Sequence, residues 1–310
     1  MLGGMRRAPK PRLYGQSEMD QAMSAWQLWR DRRGRLSALR IVALALLLFP
    51  LAKALIDYDA IAHGARPIND LIHRAGFWAL IFLGVSLAIT PFRRIARYGN
   101  LIDVRRMIGV GSFCYIAAHL VLYVADQKYD FAKVASELTH RLYLVIGGLA
   151  WLGLAVLAAT STDGMVRRIG GLRWRRLHQT IYVIALLALI HYFQQTKADV
   201  TVPTFAAGLL TWLLAYRLVG WWRDKNELST TQLLGLAVTV SLLTFASEAI
   251  GIGITFGVSP LRVLDSVFDF DAGIRPGWQV LAAGLAAVIL DFVRSRWTSR
   301  ERRSRTVAAE

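Results

Sequence analysis

Several absences narrow what this chain can be. A single cysteine, Cys114, in 310 residues rules out a disulfide framework and a thiolate metal cluster. Its place within an apolar run reads as a small buried hydrophobe. No strand leads into a glycine-rich turn and a helix, so a dinucleotide-binding fold is excluded, and Gly251 and Gly253 lie inside an apolar stretch instead. No long polar segment is available for an extramembrane catalytic domain, and there is no low-complexity tract or close span-to-span repeat of the inverted-repeat transporter kind. Acidic residues are few, 21 against 37 lysines and arginines, which leaves a net charge of +16. That excess does not point to nucleic acid, because the basic residues sit at the edges of apolar runs and no nucleic-acid module is recognisable.

What is present is apolar residue in quantity, 55% of the chain, with a mean hydropathy of +0.40. A soluble domain is rarely so apolar and so basic together, whereas a membrane bundle with positive edges is both. Eight runs approach the length that crosses a bilayer as a helix: Ser37 to Ile56, Leu71 to Thr90, Met107 to Val124, Arg141 to Thr160, Leu177 to Phe193, Pro203 to Trp222, Gln232 to Gly257 and Gly277 to Arg294. The fold class expected is therefore all-α, a polytopic transmembrane helix bundle of about eight spans. With the N-terminus inside, the segments on the cytoplasmic side hold 26 basic residues and the opposite loops 6, a decisive asymmetry under the positive-inside rule. Both termini are then cytoplasmic, and the third and fifth spans run in the same direction. Residues 1–36 read as a retained basic cytoplasmic segment, since no short apolar core precedes a small-residue cleavage site. Ala22 to Trp29 is a candidate interfacial turn. Residues 223–294 carry the last two spans and 295–310 a basic cytoplasmic tail.

The chemistry rests on histidine. His63 and His140 fall in short loops and His73 at the outer end of the second span, where solvated or interfacial roles account for them. Within the spans, polar imidazoles are costly and are ligand candidates. His119 lies 14 residues past Arg105 and His191 15 past Arg176, which places both roughly 21 to 23 Å along co-directional helices. Two imidazoles at one depth are what an iron held from both faces of a porphyrin requires; hydrogen bonding within the bundle is the plainer alternative for either alone. His178 has Arg105 at its depth, and arginine stays protonated and ligates iron poorly, so His178 either binds a second haem with an unusual or absent partner or serves a different cofactor. Arg105 suits a haem propionate or a flavin phosphate, and equally a positive-inside anchor. Thirteen residues separate His178 from His191, leaving them about 140° apart around a regular helix, so a shared cofactor channel needs either a local distortion of that span or two cofactors that approach it from different sides. Trp174, among the arginines of GGLRWRRLH, is placed to stack a planar anionic group such as flavin mononucleotide. Glu248 and Arg217, intramembrane charges, with the histidines, are also what a transporter or channel path would use.

Three segments carry a resemblance: LAITPFRR at Leu87 to Arg94, RRMIGVGSFCYIAAHLVLY at Arg105 to Tyr123, and TSTDGMVRRIGGLRWRRLHQTIYVIALLALIHY at Thr160 to Tyr192. Together they resemble the MsrQ (YedZ) family, within the ferric-reductase-like transmembrane superfamily. The resemblance covers Leu71 to about Gly220 and implies a six-span ferric-reductase-like core over residues 37–222. It further implies a haem b and FMN protein of the bacterial inner membrane that is itself a non-catalytic electron-transfer subunit. Electrons would come from the quinone pool or a cytoplasmic flavin reductase and go to MsrP, a periplasmic molybdopterin-dependent catalytic subunit that repairs oxidised methionines. The family's haem histidines correspond to His119, His178 and His191; the superfamily's fourth is replaced by Arg105. A metal reductase or a quinol-linked cytochrome b is the alternative of the same class.

Overall fold

A computed structural model describes residues 28–30, 35–196, 199–224, 227–271 and 273–307, with side chains described as far as residue 297. By internal contacts the chain divides into two units, Met1–Leu55 and Ile56–Glu310. In the first, α1 (Ala38–Ile56) is long and apolar enough to cross a membrane despite Pro50 and Lys53. Ahead of it, the Ser37 N–H donates to the Trp29 carbonyl at 3.0 Å and the Arg40 guanidinium to the Arg30 carbonyl at 2.7 Å. The interfacial turn expected over Ala22 to Trp29 lies almost wholly outside the described residues.

The second unit holds the other seven membrane-length spans, one of them, Gly171–Gln195, made of two successive helices. In order, its elements are α2 (Tyr58–Ala62), α3 (Pro67–Ile95), α4 (Ile102–Asp126), α5 (Phe131–His140), α6 (Leu142–Ala159), α7 (Asp163–Ile169), α8 (Gly171–Gln179), α9 (Ile181–Gln195), α10 (Thr201–Trp222), α11 (Thr230–Phe256), α12 (Pro260–Asp265) and α13 (Pro276–Val307). No strand occurs among the described residues. The eight expected spans all appear, each within a few residues of the apolar run that marked it, because only a helix satisfies its own backbone in hydrocarbon. Polar side chains fix where several helices start: Asp130 accepts from the Lys133 N–H ahead of α5, Thr162 from Met165 ahead of α7, and Ser229 and Gln232 form a reciprocal cap on α11. Gly257, at a φ of 67°, ends α11 in the left-handed conformation.

Two packing groups make up this unit. In one, α3 lies on α4 and α6 on α9. Ser112, fully buried on α4, donates to the Ala79 carbonyl of α3 at 2.7 Å. In the other, α10, α11 and α13 close around small residues; a Cβ on Gly208 of α10 would stand 2.5 Å from Val280 of α13 and 2.7 Å from Thr244 of α11. Lipid gives helices no hydrophobic reason to associate, so such close backbone approach supplies the dispersion contact that does. The large apolar side chains left on the outside, among them Val183, Leu218, Leu242 and Ile289, are what a hydrocarbon environment accepts. Cys114 is on this outer face, exposed. The expectation that it is buried is wrong, because hydropathy places a residue within a span without saying which side of the helix it occupies.

Arg217 and Glu248, charged side chains inside the spans, are satisfied locally, whereas the buried Thr90 hydroxyl and the Trp151 and Trp212 indole N–H groups have no hydrogen-bond partner among the described residues. Pro91, within α3, has no N–H to offer the carbonyl of Leu87 one turn earlier. The Arg217 guanidinium of α10 takes that place, donating to the Leu87 carbonyl and, at 2.8 Å, to the Leu213 carbonyl, with its charge 5.4 Å from the Tyr182 ring centre. Glu248 of α11, 4% exposed at its side chain, is paired with Arg275 at 3.2 Å, and Arg275 also donates to Ser266 at 2.7 Å.

Candidate functional site

The six histidines separate by what their ring nitrogens bond. His63, His73 and His140 are exposed, and in each Nδ1 turns back to the carbonyl four residues earlier on its own chain: Asp59, Asn69 and Ser136. His119 and His191 bond across to another helix. His119 of α4 is held through Nδ1 by the Ile72 carbonyl of α3 at 2.8 Å, and His191 of α9 by the Tyr143 carbonyl of α6 at 2.7 Å. A carbonyl can only accept, so Nδ1 carries the proton in both rings and Nε2 keeps a lone pair. No hydrogen bond among the described residues uses either Nε2.

The two rings meet. Their centroids are 6.4 Å apart and their planes stand at 90°. The helices that carry them are clamped by their partners in the same way. Ile72 and Gly76 lie one turn apart on α3, and Tyr143 and Gly147 one turn apart on α6; the glycine in each case faces the Nδ1 and Cε1 atoms of the histidine that the carbonyl holds. The α3–α4 and α6–α9 pairs thus repeat one local arrangement, although their sequences show no overall repeat.

A polar chain spans one end of this pair. Tyr123, one turn beyond His119, donates to Glu137 of α5 at 2.6 Å; Glu137 pairs with Arg141 at 3.2 Å; and Arg141 donates to the Tyr143 hydroxyl at 3.2 Å. It runs from the helix of His119 to the residue whose carbonyl orients His191. The amphipathic helix α5 that supplies Glu137 was not legible as an element, being only ten residues long and between two spans.

His178 is set apart from the pair. The helix breaks between His178 and His191 at Thr180, where the Thr180 hydroxyl and its N–H both bond the Leu177 carbonyl, at 2.7 and 3.1 Å. A threonine hydroxyl competing for a backbone carbonyl is a known way to interrupt a helix, and His178 and His191 lie on separate helices, α8 and α9. His178 stacks on Trp174 with centroids 3.9 Å apart and planes at 26°. Its Nε2 lies 3.2 Å from the Thr160 hydroxyl, and Trp174 donates to the Thr160 carbonyl at 2.8 Å. Arg105 and Arg106 are near enough for their charges to act on it. Arg106 is spent on Asp163 at 2.6 Å, while half-buried Arg105 has no carboxylate partner among the described residues. The expected residues therefore fall into two groups, His119 with His191, and His178 with Trp174 and Arg105. No cluster of three or more His, Cys, Asp or Glu suited to a metal ion occurs among the described residues.

Fold and sequence together define a polytopic helical membrane protein with a ferric-reductase-like core: the family model described as a ferric reductase like transmembrane component matches residues 75–189. That range includes His119 and His178 and stops two residues short of His191. Further likenesses are to proteins named protein-methionine-sulfoxide reductase haem-binding subunit MsrQ. The one from Rhodospirillum rubrum is 41% identical over 191 residues, 61% of this chain and 89% of the relative. Those of Xanthomonas euvesicatoria pv. vesicatoria and Xanthomonas campestris pv. campestris are 35% identical over 68% of this chain and 84% of the relative, and 40% over 55% and 77%. With identities this high across most of the relatives' length, the chain belongs to the MsrQ family. No solved structure matches it.

Proposed function

We propose that this chain is the haem-carrying electron-transfer subunit of a protein-methionine-sulfoxide reductase, with haem b gripped between His119 and His191. The observation that carries this is the spacing of the two rings. An imidazole nitrogen lies about 1.1 Å from its ring centroid and bonds a first-row metal at roughly 2 Å, so two rings on opposite sides of one metal have centroids roughly 6.3 Å apart. The separation here is 6.4 Å. Fixed Nδ1–H tautomers are the second support, since they present Nε2 as the ligand and tie the ring's orientation to the bundle.

Haem supplies a reversible one-electron couple when bound. The chain's residues do the rest. The α3 and α6 carbonyls orient the ligands, the packed helices keep water from them, and the apolar surroundings tune the potential. In the sequence, basic residues concentrate in alternate loops and in the two terminal segments, which supports a cytoplasmic placement of both termini in a bacterial inner membrane, with His119 and His191 then in the outer half. The electron acceptor is then a periplasmic molybdenum-cofactor subunit, MsrP, and the donor is the quinone pool or a cytoplasmic flavin reductase. His178, Arg105 and Trp174 serve a second cofactor on the cytoplasmic side. The charges of Arg105, Arg173, Arg175 and Arg176 suit the phosphate of FMN, although Trp174 already gives one face to His178.

The test is optical. Replacing either His119 or His191 by alanine removes most of the bis-histidine haem absorption of the purified protein; a normal haem spectrum in both variants contradicts the assignment. A colourless wild-type protein would favour the transporter alternative.

A further inference from the structure

The carbonyl and glycine that face each histidine, on α3 and again on α6, bear on how an iron between the rings would behave as well as on which residues would hold it. A ring ligated through Nε2 can still turn about its bond to the metal, so something else must set its plane. In this chain that is done twice with the same parts. The Ile72 carbonyl takes the Nδ1 proton of His119 at 2.8 Å while Gly76, a turn later, leaves room for the Nδ1–Cε1 edge; the Tyr143 carbonyl and Gly147 do the same for His191. The rings seated this way stand at 90° to each other.

We infer that Gly76 and Gly147 are positioning residues that let the two carbonyls lock the imidazole planes at right angles, and that this perpendicular setting fixes the electronic character of the iron bound between them. The inference rests on the haem function proposed above. Near-parallel axial rings split the iron's two out-of-plane d orbitals and give a low-spin ferric spectrum with three resolved lines. Perpendicular rings leave those orbitals nearly equal in energy, which collapses the spectrum to one strongly anisotropic signal at large g and raises the reduction potential.

The geometry also ranks the two glycines. A Cβ at position 147 would stand 2.7 Å from Nδ1 and 2.8 Å from Cε1 of His191, closer than side-chain carbons pack, so the ring must turn or move. At position 76 the same atoms of His119 would be 3.1 and 3.2 Å away, which asks for a few tenths of an ångström. Gly84, on the same helix as Gly76, has nothing within 4 Å of where its Cβ would be.

The experiment is low-temperature electron paramagnetic resonance with a redox titration on the oxidised full-length protein, reading the signal that disappears in His119→Ala. The wild type is expected to show the single large-g signal. Gly147→Ala should shift it toward the three-line form and lower the potential at undiminished haem content, Gly76→Ala should do so by less, and Gly84→Ala should leave both unchanged. Three resolved lines in haem-replete wild type overturn the inference, with no variant needed. So does a wild-type spectrum retained in Gly147→Ala, or in Gly76→Ala should the larger clash prevent folding. A chain that takes up no haem overturns the proposed function instead, and the haem-to-protein ratio separates the two failures.

Discussion

Removing the Arg217 side chain should destabilise the protein by an amount that depends on a proline 126 residues away in sequence. Pro91 leaves the Leu87 carbonyl without its helical donor, and Leu87 is buried in the core, so water does not replace that donor. The Arg217 guanidinium fills the vacancy. A hydrogen bond from a charged donor is worth about 1.5 to 3 kcal/mol net in soluble proteins, while side-chain bonds between membrane helices average about 0.6 and reach about 1.7. Arg217→Met is therefore expected to cost about 2 kcal/mol, part of it from the Leu213 carbonyl and the Tyr182 ring face that the guanidinium also engages. In a Pro91→Ala background the substituted residue offers its own backbone N–H to Leu87, so the Leu87 share of the cost should vanish while the other two shares remain. The double-mutant cycle should give a coupling of about 1 kcal/mol. Denaturant unfolding of the four detergent-solubilised proteins, followed by circular dichroism, measures it. Equal costs of Arg217→Met in both backgrounds, within the roughly 0.3 to 0.5 kcal/mol by which independent sites add, would refute this account of the arginine.

His178→Ala should weaken a cytoplasmic-side cofactor and leave the haem on His119 and His191 in place; loss of all haem absorption in that variant would contradict the division into two groups. Glu248→Ala leaves the partly exposed Arg275 guanidinium with Ser266 but no carboxylate and should cost about 2 kcal/mol in thermal or denaturant unfolding, below the roughly 3 to 5 kcal/mol of a fully buried pair. Glu248→Gln, which keeps an acceptor for Arg275, should cost clearly less, and equal losses would mean that the ion pair contributes nothing specific.

How much of this could be read from the residues follows from what each signal measures. Span positions were legible because hydrocarbon thickness imposes a length on every apolar run, and all eight helices fall where their runs do. The approach of His119 to His191 was legible as matched depth, since distance along a helix is proportional to residue number. Orientation around each helix was not: the outward face of Cys114 and the break at Thr180 depend on packing and on one hydroxyl bond, neither of which leaves a trace in hydropathy. The carbonyls of Ile72 and Tyr143 were invisible because backbone acceptors have no residue identity. Gly76 and Gly147 were in plain view, 71 residues apart against 72 for the two histidines, a local correspondence too sparse to register as a repeat. Arg217 looked like a charge along a polar path; the proline that explains it lay within the very motif, LAITPFRR, that carried the family resemblance.

The central claim is that two imidazoles hold one iron from opposite sides, and the ligation state of the purified wild-type protein tests it most directly. Reduced-minus-oxidised spectra, taken with the haem-to-protein ratio and repeated under carbon monoxide, should show at least one low-spin, six-coordinate haem per chain whose spectrum carbon monoxide does not change. A colourless protein, or one whose entire haem complement binds carbon monoxide through an open coordination position, would contradict it.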